Sequence, residues 1–185
     1  MGDVAGKGVP AALYGAFASG TVRARAFHEQ SPAEILYRVN RTLRRRGVEG
    51  LFCALTFALF DFKSRKLRLS NSGLPYPLHF HSKTGRCDSV DVAGIPLGFF
   101  DDVVYDERAL DLVPGDIFVF HTDGVTESHN GREAYGIPRL RALVEEHPLP
   151  APEMGERILN DLARFMDGAV PQDDVTLIVV RILES

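Results

Sequence analysis

Three acidic segments lie far apart in this chain, each at the edge of an apolar stretch: Gly2-Asp3-Val4-Ala5-Gly6-Lys7-Gly8, Thr122-Asp123-Gly124 and Gln172-Asp173-Asp174-Val175-Thr176. Apolar stretches become buried strands or helices, so an aspartate at such a junction stands at the rim of the core, where side chains can converge. Carboxylates drawn to one point raise each other's pKa unless a cation lies between them. A ligand set made of oxygen alone suits magnesium, manganese or calcium rather than zinc or copper. The pattern therefore reads as a hard-metal site, and a metal site implies chemistry.

At 185 residues and 45% hydrophobic content the chain reads as one domain, 1–185, able to bury a sizeable core. A formal charge of −4 gives no general field for nucleic acid. The basic side is mostly arginine, with a run at Arg41, Arg44, Arg45 and Arg46. That run is either a solvated helix end complementing the helix dipole or a patch for a phosphate or partner. No apolar stretch reaches the roughly 18 residues that span a bilayer, and charges and glycines interrupt the start too early for a signal peptide. Cys53 lies in an apolar run and Cys87 in a polar turn, so no disulfide framework is expected. The default location is the cytoplasm, with neither membrane nor nucleic acid as partner.

Pro10 in the first turn opens a helix rich in small residues, expected to run to about His28, with Gly15, Ala16 and Gly20 packing closely on a sheet. Ser31-Pro32-Ala33-Glu34 is a capping box before the apolar stripe Ile35, Leu36, Val39 and Leu43. Strands are expected over Phe52 to Phe62, Lys66 to Ser70 and Leu78 to His81, near Ser89 to Val92, and over Val104 to Leu112 and Asp116 to His121. Helices follow at about Ile137 to Glu145 and Pro152 to Met166, the latter with Met154, Ile158, Leu162 and Phe165 on one face, and Val175 to Ile182 closes the chain as a strand. Strand runs joined by short turns imply mainly antiparallel pairing, with helices kept to the sheet faces, an α+β fold.

Gly2 to Gly8 is not a P-loop: only three residues separate Gly2 from Gly6, and Gly8 stands where a hydroxyl should hold magnesium. Asp123 is not a covalent nucleophile of the aspartyl-phosphate type, since neither His121 nor Val125 offers the second acid two residues away. An aspartate beside glycine is commonly a turn former, and Asp116, after Pro114-Gly115, is assigned that role. His121 reads as a buried, hydrogen-bonded histidine.

The ordered set Gly2 to Leu13, Asn71-Ser72-Gly73, Gly94-Ile95-Pro96-Leu97-Gly98, Pro114-Gly115-Asp116, Thr122-Asp123-Gly124-Val125-Thr126-Glu127 and Asp173-Asp174-Val175-Thr176-Leu177 resembles the PPM-type (type 2C) serine/threonine phosphatases. Within them it is most similar to the bacterial branch of the stage II sporulation phosphatase and sigma-factor partner switching. The resemblance implies two antiparallel sheets packed as a sandwich with helices on the outer faces. It implies a centre of two divalent cations, manganese or magnesium, in which Asp3, Asp123 and Asp173 are the catalytic acids. Asp3 would bridge the metals, the Val4 carbonyl would serve the second, and Asp123 and Asp173 the first. Asp174 would orient water or cap the turn; Lys7 is either solvated or a contact to the substrate phosphate. The implied reaction is hydrolysis of phosphoserine or phosphothreonine by a metal-activated water, with a phosphoprotein such as an anti-sigma-factor antagonist as substrate.

The departures from the pattern carry expectations of their own. Ala5 stands where many eukaryotic members have histidine, so water must protonate the leaving alkoxide, and Leu74 stands where the bacterial branch often has histidine. Family domains carry two strands before the Gly-Asp motif; without them the chain reads as N-terminally truncated, with Asp3 on a frayed terminus, weak metal binding and a bare sheet edge through which a homodimer could form. The alternatives are a catalytically silent protein-binding module of the same fold and a small-molecule phosphatase with the same centre.

Overall fold

The computed structural model describes residues 1–27, 31–48, 50–171 and 173–184. Its elements in order are β1 (Gly2–Val4), α1 (Gly8–Ala26), α2 (Pro32–Arg46), β2 (Cys53–Asp61), β3 (Lys66–Asn71), β4 (Leu78–His81) and β5 (Arg86–Ser89). They continue as β6 (Arg108–Asp111), β7 (Ile117–His121), α3 (Asp123–Thr126), α4 (Gly136–Glu146), α5 (Ala151–Met166) and β8 (Leu177–Arg181). Every strand pair is antiparallel, in two four-stranded sheets ordered β1-β2-β3-β6 and β5-β4-β7-β8. The α+β class of two antiparallel sheets with helices is the one expected. The first sheet belongs to a compact unit of Met1–Leu74 and Val92–Asp111, the second to a unit of Pro75–Asp91 and Leu112–Ser185. Among the described residues no helix is long and apolar enough to cross a membrane.

In the first unit the α2 stripe Ile35, Leu36, Val39 and Leu43 is fully buried and packs with Tyr14, Ala18, Cys53, Leu97 and Tyr105. Ser31 caps α2 by accepting from the Glu34 N–H at 3.3 Å, but Glu34 turns to Arg38 (2.6 Å), so only one half of the capping box forms. Arg44 pairs with both carboxylate oxygens of Asp101 (3.0 and 2.8 Å), which gives one arginine of the basic run an acidic partner at the surface. The packing face of α1 is Ala11, Tyr14 and Ala18; Gly15 comes within van der Waals range of Val4, whereas Ala16 and Gly20 are exposed and pack on nothing. That corrects two of the three small residues assigned to close packing. His28 lies outside the described residues.

β1 corrects the expectation of a frayed start. Its residues pair with β2, Asp3 opposite Ala54, and the pairing extends outward: Thr56 N–H donates to the Met1 carbonyl (2.9 Å) and Ala5 N–H to that of Phe52 (2.9 Å). A short run of glycine, aspartate and valine has little strand propensity of its own; the edge of β2 imposes the conformation.

Two of the motifs in this unit fit each other. Asn71 Oδ1 accepts from Thr56 Oγ1 (2.9 Å) and Leu74 N–H (3.2 Å) while its Nδ2 donates to the Leu74 carbonyl (2.8 Å), closing the turn after β3. Ser72 Oγ exchanges hydrogen bonds with the Leu55 N–H and C=O, both 2.9 Å. Gly94 then passes so close that a Cβ there would overlap the Asn71 carbonyl, and a Cβ on Gly73 would press on Pro96. Leu97 bridges to Cys53 through two backbone bonds of 3.0 and 2.8 Å.

In the second unit α4 and α5 cover one face of the sheet: Leu140, Val144, Met154, Ile158, Leu162 and Phe165 pack with Leu78, Phe80, Ile117 and Val119. The strand expected near Ser89 to Val92 lies earlier, at Arg86–Ser89, because the hairpin register sets Cys87 opposite Phe80 and turns both toward the helices. Cys87 is therefore a buried strand residue rather than part of a polar turn, and both cysteines are free.

This packing generates a paired prediction. Gly94→Ala forces backbone against backbone and is expected to cost more than about 3 kcal/mol, whereas Gly20→Ala on the open face of α1 should be neutral or stabilising by up to about 1 kcal/mol. Urea midpoints measure both; a Gly94→Ala chain as stable as its parent would contradict the packing of the two motifs.

Candidate metal centre

Asp123 and Asp173 belong to the second unit, on segments whose backbones pack against each other. The apolar strand β7 carries five buried residues and ends at His121; Thr122 follows, and Asp123 opens the single turn α3. The segment 173–176 leads into β8, the neighbour of β7 in the sheet, so ladder pairing delivers the two aspartate segments to the same edge.

Thr122 ties them. Its Oγ1 donates to the Asp174 carbonyl (2.9 Å) and accepts from the Thr176 N–H (3.0 Å), while its own N–H donates to the Thr176 carbonyl (3.1 Å). Thr122 is buried and its partners are exposed, so these bonds are partly shielded from competing water. Gly124 completes the approach: a Cβ there would overlap the Asp174 carbonyl oxygen and crowd that of Asp173. No other residue type fits at this distance, which gives the Asp-Gly dipeptide a packing reason beyond turn formation.

Each carboxylate spends one oxygen on local backbone. Asp123 Oδ1 accepts from the Gly124 N–H (2.9 Å) and Asp173 Oδ1 from the Asp174 N–H (2.8 Å). These bonds fix the two side chains. Beside Asp173 lies a polar recess of about 210 Å³ lined by Gly124, Glu127, Ser128 and Asp173. The buried Ser128 donates to the Gly124 carbonyl (2.7 Å), and the Glu127 N–H donates to the Asp123 carbonyl (2.7 Å), so the floor of the recess is wound by its own backbone. Oxygen donors on rigid backbone around a polar recess fit a hard divalent cation.

The remaining predicted residues stand as follows. Asp3 and Val4 sit on β1 of the first unit, Asp3 half-buried and charged enough toward Cys53 to help raise that thiol, whose pKa burial pushes to about 11. Lys7 is exposed at the N-cap of α1 and makes no side-chain cap. Asp174 is exposed, and it is its backbone that the structure uses, accepting from Thr122 and donating to Asp173. His121 is fully buried, as expected; burial holds its imidazole below the usual pKa, and its Nδ1 lies 3.1 Å from the Thr122 carbonyl. Asp116 exceeds the turn role assigned to it: it is 2% exposed and accepts three side-chain and backbone bonds. Thr122 and Ser128 are the functional neighbours that sequence reading missed. The signal was a hydroxyl immediately before Asp-Gly and another four residues after Gly124, the spacing at which a serine reaches back to a helical carbonyl.

The chain matches the family model described as Stage II sporulation protein E (SpoIIE) over residues 1–183. Phosphoserine phosphatase RsbU of Bacillus subtilis (strain 168) is 28% identical over 185 residues, covering 98% of this chain and 54% of RsbU. The chain thus spans about half the length of that curated relative. Among solved structures, the SiaA-PP2C domain of Pseudomonas aeruginosa superposes with a TM-score of 0.84 at 23% identity, covering 97% of this chain and 72% of that one. The PP2C phosphatase domain of SpoIIE from Bacillus subtilis, solved with a fragment of its regulatory domain, gives a TM-score of 0.79 at 17% identity over 98% of this chain and 53% of that one. These likenesses show a shared PP2C fold.

The Thr122 clamp makes a direct prediction. Thr122→Val keeps the shape but removes the partner of the Asp174 carbonyl and Thr176 N–H, both in part-buried bonds, at an expected cost of about 0.5–1.5 kcal/mol. Thr122→Ser, which keeps the hydroxyl, should recover most of it. Denaturant titration of the three chains decides; equal stability of the valine and parent chains would remove the clamp from the account.

Proposed function

The chain belongs to the Stage II sporulation protein E (SpoIIE) family, and on that ground we propose that it is a metal-dependent phosphatase hydrolysing phosphoserine or phosphothreonine in a protein substrate. The observation that supports the reading is the Thr122 clamp, which holds the Asp123-Gly124 turn against the Asp173–Asp174 backbone beside a polar recess. The name of RsbU, a phosphoserine phosphatase, supports the substrate class.

In this reading Asp123 and Asp173 would hold one divalent cation, manganese or magnesium, through their carboxylates. Asp3 and the Val4 carbonyl, on β1 of the first unit, are the residues the family resemblance proposes for the second cation. Bound divalent cations would supply activation of water and neutralisation of phosphoryl charge. The protein's part is to keep the acids from recoiling from one another, and the fixed backbone of 122–124 and 173–176 does so. Glu127 and Ser128 keep the recess polar and wet, which suits an exposed phosphate on a protein surface. His121, buried and held below its ordinary pKa by desolvation, is neutral near pH 7 and offers no acid to the leaving group. Ala5 offers none either, so solvent returns the proton to the departing serine or threonine alkoxide. Lys7, exposed at the mouth of α1, is free to meet a substrate phosphate. Asp174 serves the turn with its backbone. A cytoplasmic signalling role, with an anti-sigma-factor antagonist as substrate, fits the family.

The test is phosphate release from a phosphoserine peptide in manganese. Asp123→Asn and Asp173→Asn should each lower kcat by more than about 100-fold, beyond what loss of an outer partner costs, with full loss in excess chelator. Turnover that persists in chelator, or an unimpaired Asp123→Asn chain, would overturn the proposal. A chain that binds a phosphoprotein without turnover would make it the silent module instead.

A further inference from the structure

On β4, His79 and His81 alternate onto one face of the strand, away from Leu78 and Phe80, which enter the helix-covered core. Asp116, just before the adjacent β7, meets them there. One ligand atom from each of the three side chains lies within 4.8 Å of the other two. We propose that His79, His81 and Asp116 form a second metal site, built for a zinc-class transition ion and separate from the hard-metal centre.

The site has the marks of a prepared ligand set. Asp116 Oδ1 is pinned by the Ser82 N–H and Oγ, both at 2.8 Å, which fixes the carboxylate and aims Oδ2 at His79 Nε2, also 2.8 Å away. Its backbone is fixed as well: its N–H donates to the Val113 carbonyl (3.0 Å) and its carbonyl accepts from Ile182 (2.9 Å). Gly115, at φ 90°, makes this approach possible, since a Cβ there would stand 2.9 Å from Ser82 Cβ. His79 stacks on Phe118 at 4.2 Å, which holds its ring in plane. Outer hydrogen bonds and packing of this sort are what orient metal ligands in protein sites.

Two imidazoles change the chemistry. Nitrogen donors favour zinc, nickel, copper and cobalt over the magnesium or manganese that an all-oxygen set prefers. Tetrahedral zinc ligands about 2.0–2.2 Å from the ion stand about 3.3 Å from one another. The His79–Asp116 contact must therefore open by roughly half an ångström as the ion replaces the shared proton, which passes to solvent. His81, with a side chain 39% exposed and its ring 3.9 Å from that of His79, has room to swing onto the ion. Asp88 is the nearest candidate for the fourth position: it lies opposite His79 on β5, and its Oδ2 is 3.8 Å from His81 Nε2. A bound ion would clip the β4–β5 hairpin to β7.

The decisive experiment uses the untagged chain, chelator-stripped, in the Asp123→Asn/Asp173→Asn background so that the first centre cannot report. Calorimetry with zinc chloride should give one equivalent bound, undisturbed by excess magnesium, and cobalt(II) should give the visible absorption of a tetrahedral complex that zinc bleaches. His81→Ala, at a half-exposed position, should fold normally and bind zinc at least about tenfold more weakly. No zinc uptake, or undiminished affinity in His81→Ala, overturns the site. The readout is binding, so failure of the phosphatase reading would leave it untouched.

Discussion

The candidate centre depends on one close contact, that of the Asp123-Gly124 turn with the Asp173–Asp174 backbone. Two carboxylates repel, and nothing in their own chemistry would hold them together in the absence of a cation. The buried Thr122 hydroxyl does it by satisfying both a carbonyl and an N–H of the opposing segment, and Gly124 removes the side chain that would keep the two backbones apart. Because Thr122 itself is buried, losing its partners would leave its hydroxyl unpaired away from water. The β7–β8 ladder beneath carries this geometry into a rigid sheet, so the acids stand on a scaffold rather than on loops of their own.

The first unit uses the same device for another purpose. Asn71, Ser72 and Gly73 close a turn whose carbonyl lies against Gly94, and the Leu97 bridge to Cys53 ties that loop to β2. β2 is also the strand on which β1, and with it Asp3, is laid. Motif residues that carry no chemistry here thus set the strand that carries a proposed ligand.

Much of this was legible in the sequence, and the reason is physical. The stripes of α2 and α5 repeat at helical spacing because a helix has one buried face, and every residue assigned to them is buried. The aspartate-glycine junctions were visible because only glycine permits such approach. What escaped notice depended on tertiary partners. β1 has no strand pattern and exists because β2 offers an edge. Cys87 and the shifted β5 follow from hairpin register, which alternation in so short a run does not fix. Asp116 looked like a turn residue because a Pro-Gly-Asp sequence says nothing of the histidine and serine that fold brings to it. Thr122 reads as an ordinary strand-end residue until the opposing segment is known.

The central claim is that Asp123 and Asp173 act as a single all-oxygen cation site. A crystal of this chain grown in manganese and recorded at the manganese absorption edge tests it most directly. The account predicts an anomalous peak beside the recess, with oxygens of both carboxylates about 2.0–2.6 Å from it, and loss of that peak in Asp123→Asn. A map in which manganese avoids these two side chains, or binds one of them alone, would contradict it.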